Sequence, residues 1–246
     1  MKRTLKFSSR NFKEVLRDPI NLFFGLGFPL VLLVLLSVIQ SNIPSGMPIY
    51  EIDSLAPALC VFGYSFIALF SGTLVAGDRE SSFAVRLYSS PMKPAELIAG
   101  YALPMLALAA AQSVICLAAG LIFGLTLSFR LLLAVVVGMP AALFFAGVGL
   151  LTGSLLGVKQ VGGVCGALLT NLAGWLSGTW FDIALIGGAF EKIANLFPFV
   201  HAVNACRAAV SGDFGRIMPE LAWVFGYAAV ACAAAAYFLG RRAKGK

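Results

Sequence analysis

Long apolar runs, separated by short charged stretches, set the pattern of this chain. No charged residue falls within 19–50, 54–77, 97–129, 131–158, 160–181 or 221–240. A helix of about 20 apolar residues crosses a hydrocarbon core about 30 Å thick. The runs therefore predict six crossings, near 20–40, 56–77, 97–122, 131–157, 160–178 and 220–240. Between 97 and 158 the only charge is Arg130, and that stretch is too long for one helix; the segment from Gly124 to Phe129 supplies the turn. The runs are unbroken and lack the period-two alternation of a barrel strand, so the predicted class is an all-α membrane protein.

Ahead of the first run lies a charged amino-terminal stretch, 1–19. At 100° per residue, Leu5, Phe12 and Leu16 share a narrow arc, with Val15 beside it and Phe7 pointing elsewhere. Lys2, Lys6, Arg10, Lys13 and Arg17 fan along the adjacent side. This predicts a helix lying on an anionic lipid surface. The plainer alternative is topological charge with no ordered helix. The charged stretch is too long for the n-region of a cleaved signal.

Composition agrees with the pattern. Apolar residues make up 60% of the 246, charged residues 12%, and mean hydropathy is +0.92. So few charges cannot cover a water-soluble globule, and so apolar a chain is not disordered. The formal net charge of +7 is a topology signal and no argument for nucleic acid. With both termini placed inside, fourteen of the eighteen Lys and Arg lie on the inner side. Only Arg130, Lys192, Arg207 and Arg216 lie outside, so the positive-inside rule predicts cytoplasmic termini. A bacterial inner (plasma) membrane is the expected location.

Candidate chemistry is sparse. The five Cys are dispersed through or beside apolar runs, which fits small packing residues better than disulfides. His201 is the single histidine, so neither a two-His metal site nor HExxH exists, and no metal is expected. No GxSxG is present. The letters from Gly240 to Lys246 match GxxxxGK but lack the Ser or Thr and the strand–helix context, so no ATP site is expected on this chain. Every charge can be placed at an interface or in a loop, which argues against ion coupling. Any energy source is then a partner.

The inner loop 78–96 reads as a short helix over about 80–89, with Phe83 and Leu87 on one face and Arg79 and Arg86 on others. Pro91 and Pro94 close it. In the outer segment 179–219, Ile183, Ile186, Phe190, Ile193 and Phe197 recur at helical steps and predict one amphipathic helix. Pro198 ends it, and a second helix over 200–210 precedes Gly212. Gly149, Gly153 and Gly157 are four apart, as are Gly162 with Gly166 and Gly174 with Gly178; such spacing lets helices approach closely. Phe62, Phe66 and Phe70 form another stripe four apart. With Asn171 and Trp175 they could line an apolar path, or they could simply pack against a neighbour.

Asp78-Arg-Glu-Ser-Ser, followed by Leu87 and Ser90-Pro91, resembles the cytoplasmic loop of ATP-binding-cassette (ABC) permeases of the type-2 exporter family. Phe197-Pro198-Phe199, then Asn204-Ala-Cys-Arg207 and Gly212, is similar to that family's stretch before its sixth span. The resemblance covers nearly the whole chain; Ser81-Ser82 departs from the family's usual Gly or Thr. It implies a permease that pairs with a second copy or a paralogue and receives a cytosolic ABC ATPase subunit on the loop. ATP and Mg would be bound by that subunit and no cofactor by this chain. It maps the ATPase-coupling contacts to Asp78, Arg79, Glu80, Phe83, Arg86, Leu87 and Pro91, with Glu80 and Arg86 as the main electrostatic contacts to that subunit. It also implies that the outer segment, with Pro198 and Arg207, is re-entrant-like and roofs the path. An apolar lining favours a hydrophobic or amphiphilic substrate: a drug, lipid-linked molecule or peptide. The competing expectations are a membrane scaffold subunit without transport and, third, an ion-gradient-driven carrier.

Overall fold

A computed structural model describes residues 2–43, 47–88 and 92–243. Among these residues every regular element is helical. The amino-terminal helix α1 is Lys2–Leu16. Asp18 then starts α2 (Pro19–Asn42), its carboxylate accepting from the Ile20 and Asn21 amides, with Pro19 in the first turn, where a missing N–H costs nothing. Within α2 the backbone widens to a π-helical turn over Phe23–Gly27, immediately before Pro29. A proline removes an N–H from the ladder, and a π-turn is one way a helix absorbs that loss.

There follow α3 (Ile52–Glu80), the short α4 (Phe83–Tyr88), α5 (Pro94–Ile122) and α6 (Phe129–Leu155). Helix α7 runs in three consecutive pieces, Val158–Val161, a π-helical Gly162–Leu169 and Thr170–Leu176. Two short helices, α8 (Ile183–Ile186) and α9 (Gly188–Ala194), precede α10 (Pro198–Ser211) and the last helix α11 (Phe214–Ala243). Among the described residues five helices are long and apolar enough to cross a membrane: α2, α3, α5, α6 and α11. Lys159, Gln160 and Asn171 dilute α7, which stays outside that set. Its ends nevertheless lie at opposite faces of the bundle. It begins beside Glu80, which accepts from the Val158 amide, and leads to Gly178, whose carbonyl accepts from Arg207 near Ser54. The chain is a multi-pass membrane protein.

The single outer helix expected over 183–197 is broken. Gly187 and Gly188 adopt φ of +62° and +61°, a region that side chains rarely enter, and this splits it into α8 and α9. Helices α9 and α10 meet at 77°, with Pro198 starting α10. Helix α10 ends where Arg130 donates to the Ser211 carbonyl, and Gly212 closes it at φ +87°. Its other end reaches into the bundle, where Phe199 packs on Phe144 and Phe145, halfway along α6. The pair therefore enters and leaves at one face, which gives the re-entrant-like segment before the last span.

Helix α3 is buried along most of its length, whereas α2 and α11 expose theirs. Close approach of α3 and α6 depends on glycine. A Cβ on Gly149 would lie 2.0 Å from Ser71 Oγ and 2.2 Å from the Ala68 carbonyl oxygen; one on Gly153 would lie 2.4 Å from the Gly72 carbonyl oxygen. Without a hydrophobic drive between helices in lipid, such backbone contact is what holds them. Around Gly162 there is open space, so the same spacing on α7 does not mark the same contact.

Candidate functional site

One loop residue, Asp78, is a buried carboxylate that gathers partners from other helices. Asp78, near the end of α3, is 4% exposed. It accepts from both guanidinium arms of Arg10 on α1, at 2.7 and 2.8 Å, and from the Tyr101 hydroxyl on α5 at 2.9 Å. A planar guanidinium matches a carboxylate two-to-two, which fixes orientation as well as charge. Arg10 also pairs with Glu14 at 2.7 Å and lies 4.4 Å above the Phe83 ring of α4. Burial alone would lower the Arg10 pKa; its bonds to Asp78 and the surrounding negative charge outweigh that and raise it. One ion pair thus joins α1, α3 and α5, and the cation stacked on it reaches α4.

The neighbouring packing explains why α1 docks there. Phe7, Asn11 and Val15, four apart, are its buried residues. Phe7 meets the Tyr101 ring edge-on at 4.8 Å and lies where Gly100 leaves room, while Asn11 donates to the Gly100 carbonyl. The expected apolar arc is not the buried one: Leu5 is 59% and Leu16 44% exposed. A helix at the surface of a membrane bundle has two apolar neighbours, protein and lipid, and the periodicity does not say which stripe faces which.

Arg79 and Glu80 turn inward as caps. Arg79 donates to the Gly153 and Leu156 carbonyls at the end of α6, and Glu80 accepts from the Val158 amide at the start of α7. Each charge sits where the helix dipole favours it. In α4, Phe83 is half-buried, Leu87 is buried, and Arg86 is exposed with its guanidinium 5.9 Å from the Phe83 ring. The short helix starts at Phe83 and not at 80, because α3 continues to Glu80. Pro91 lies outside the described residues.

The residues considered for a path separate into two groups. Phe62, Phe66 and Phe70 are buried: Phe66 packs on Phe24 and Phe28 of α2, Phe62 on Trp180, and Phe70 where Gly25 would carry a Cβ. Asn171 and Trp175 are exposed on α7, and Asn171 donates back to its own helix.

Pro198 is buried in the first turn of α10, inside the bundle, and toward the opposite face Arg207 donates to the Ser54 and Gly178 carbonyls at 3.1 and 3.0 Å. Arg207 and Arg216 border two adjoining cavities of about 460 and 310 Å³, with Asp182 and Glu191 in one and Glu51, Asp53, Asp213 and Glu220 in the other. His201, absent from the sequence-derived site, also lies here, bonded to Glu220. Arg10 and Tyr101 were likewise missed. The available signal for α1 was Asn11, a polar residue in the middle of an apolar four-apart stripe.

No curated protein and no solved structure matches the chain. A family model described as ABC-2 type transporter matches residues 4–210, from within α1 to the last turn of α10. The match takes in the Asp78 corner, the loop motif that begins there and the stretch from Phe197 to Arg207, and it makes the chain a membrane transport component. On that match the chain belongs to the ABC-2 type transporter family.

Proposed function

We propose that this chain is the permease half of an ATP-driven exporter that moves a hydrophobic or amphiphilic substrate out of the cytoplasm or inner leaflet. Two copies, or one copy and a paralogue, form the membrane core in the inner (plasma) membrane with termini in the cytoplasm. One cytosolic ABC ATPase subunit, holding ATP and Mg, docks on each copy at α1 and α4. The observation that carries this reading is the Asp78 corner. Force on the exposed side of α4 passes through Phe83 and Arg10 to a carboxylate that grips α1, α3 and α5 together. A rigid corner of this kind converts a push on a short helix into tilting of spans. The charge bias of the flanking segments supports the orientation. The exposed apolar face of α7 beside Asn171 supports an amphiphilic substrate.

The test is purification of the tagged permease from cells carrying the neighbouring genes, followed by a vanadate-sensitive ATPase assay. An ATPase subunit in equal amount, with activity stimulated by amphiphiles, is the expected result. Arg86→Glu should reduce the co-purified subunit, since Arg86 is exposed on α4; unchanged yield would contradict the docking site. A permease that purifies alone and transports with an ion gradient would replace this reading with a secondary carrier. Stable complexes without stimulated activity would favour a scaffold.

A further inference from the structure

The His201 imidazole is placed as a pin through the bend of the re-entrant segment. Asn195 stands at the end of α9, and His201 lies in the first turn of α10. His201 Nε2 is 2.9 Å from the Asn195 carbonyl oxygen, so the ring bridges the 77° bend from side to side. Its Nδ1 is 2.5 Å from a Glu220 carboxylate oxygen on α11. The Asn195 carbonyl is an acceptor, and so is Glu220 in its ionised form. A neutral imidazole donates from one nitrogen only, so both bonds together require the imidazolium. The ring also lies parallel to Trp223, 2° from coplanar with centroids 5.1 Å apart, which suits a cation over an indole face.

We propose that protonated His201 clamps the re-entrant bend to the last span, and that its neutral form releases one side, making the opposite-face segment pH-sensitive. Glu220 acts directly on this charge, and other charged groups lie around it. Glu220 is the direct partner, held also by Asn204 at 3.5 Å. Across the bend, the Glu191 carbonyl accepts from the Asn195 amide side chain. Glu51 and Asp53 of the α3 end, Asp213 of the α10–α11 turn, and the cations Arg207 and Arg216 share the cavity bordered by Glu220. Arg130 of α6 is committed at the far end of α10, to Ser211. The Tyr227 hydroxyl donates to the Leu196 carbonyl, a second link from α11 to the bend that does not involve the imidazole. Burial of the ring opposes its charge, but the Glu220 carboxylate and the Asn195 carbonyl outweigh that and raise its pKa, so the clamp is complete at low pH and loses one bond as pH rises through the folded-state pKa.

Because His201 is the only histidine, ¹⁵N imidazole NMR of the whole permease in nanodiscs reads it without assignment. Between pH 5 and 9 the expected result is a doubly protonated ring that titrates above the ordinary value near 6.5, with the midpoint lower in Glu220→Gln. Spin labels at Lys192→Cys and Met218→Cys, on a background without native cysteine, should give a distance that lengthens or broadens above the midpoint. His201→Gln should abolish that pH dependence. A ring that stays a single neutral tautomer, or one with the same midpoint in both proteins, overturns the proposal. A titrating ring with an unmoved label distance overturns it too. The titration requires neither ATPase nor substrate, so it stands or falls apart from the exporter reading.

Discussion

Removing Arg10 should damage the molecule more than removing its partner Asp78. The carboxylate is 4% exposed, whereas the Arg10 side chain is 37% exposed. In Arg10→Ala, Asp78 keeps the Tyr101 bond but loses two charged bonds in a place water barely reaches. Stripping one partner from a fully buried pair costs about 3–5 kcal/mol; the open Arg10 side lets water in, so about 2–4 kcal/mol is expected. In Asp78→Ala, Arg10 keeps Glu14 and turns to solvent, and the loss is near that of a charged hydrogen bond, about 1.5–3 kcal/mol. The double variant leaves no orphaned charge, so it should lose less than the sum of the two single variants, with a coupling of about 1–3 kcal/mol. At about 2–4 °C per kcal/mol for a chain of this length, Arg10→Ala should lower the unfolding midpoint by roughly 4–16 °C. Thermal unfolding of all four proteins in nanodiscs closes the cycle. Additive losses, or equal losses in the two single variants, would refute the claim that this pair holds the corner.

Three further outcomes follow from the same geometry. Gly149→Ala should destabilise the protein by about 1–3 kcal/mol or more, since its Cβ meets backbone of α3, while Gly162→Ala, facing open space, should change the midpoint little. Comparison of their unfolding midpoints checks this. Tyr101→Phe keeps the ring against Phe7 and removes the hydroxyl from Asp78; a loss of about 1 kcal/mol is expected, and it should vanish in the Asp78→Ala background. Arg207→Lys keeps the charge but not the fork that reaches Ser54 and Gly178 together, so protease access at the exposed Lys192 should rise with little change at the amino-terminal face.

Sequence by itself determined the helices and most of their ends. Charges in water and apolar runs in lipid are local demands, so gaps between charges marked out helices, of which five among the described residues are long and apolar enough to cross and the run 160–178 is not, and Pro198 with Gly212 bounded α10. Tertiary structure decided which residues meet. Arg10 and Asp78 are 68 positions apart, and nothing in either's local pattern selects the other. The short reach of Arg79 and Glu80 to the ends of α6 and α7 depends on where those helices arrive, so charges expected to face a partner became caps. On α1 the sequence held two apolar stripes, and only packing against Gly100 and Tyr101 assigned Phe7, Asn11 and Val15 to protein and left Leu5 and Leu16 exposed. The bend of the re-entrant segment was legible in Pro198; the ring that spans it was not, because a hydrogen bond across a turn depends on the angle the turn takes. Periodicity is a property of one helix, whereas a site is a property of several helices brought to the same place.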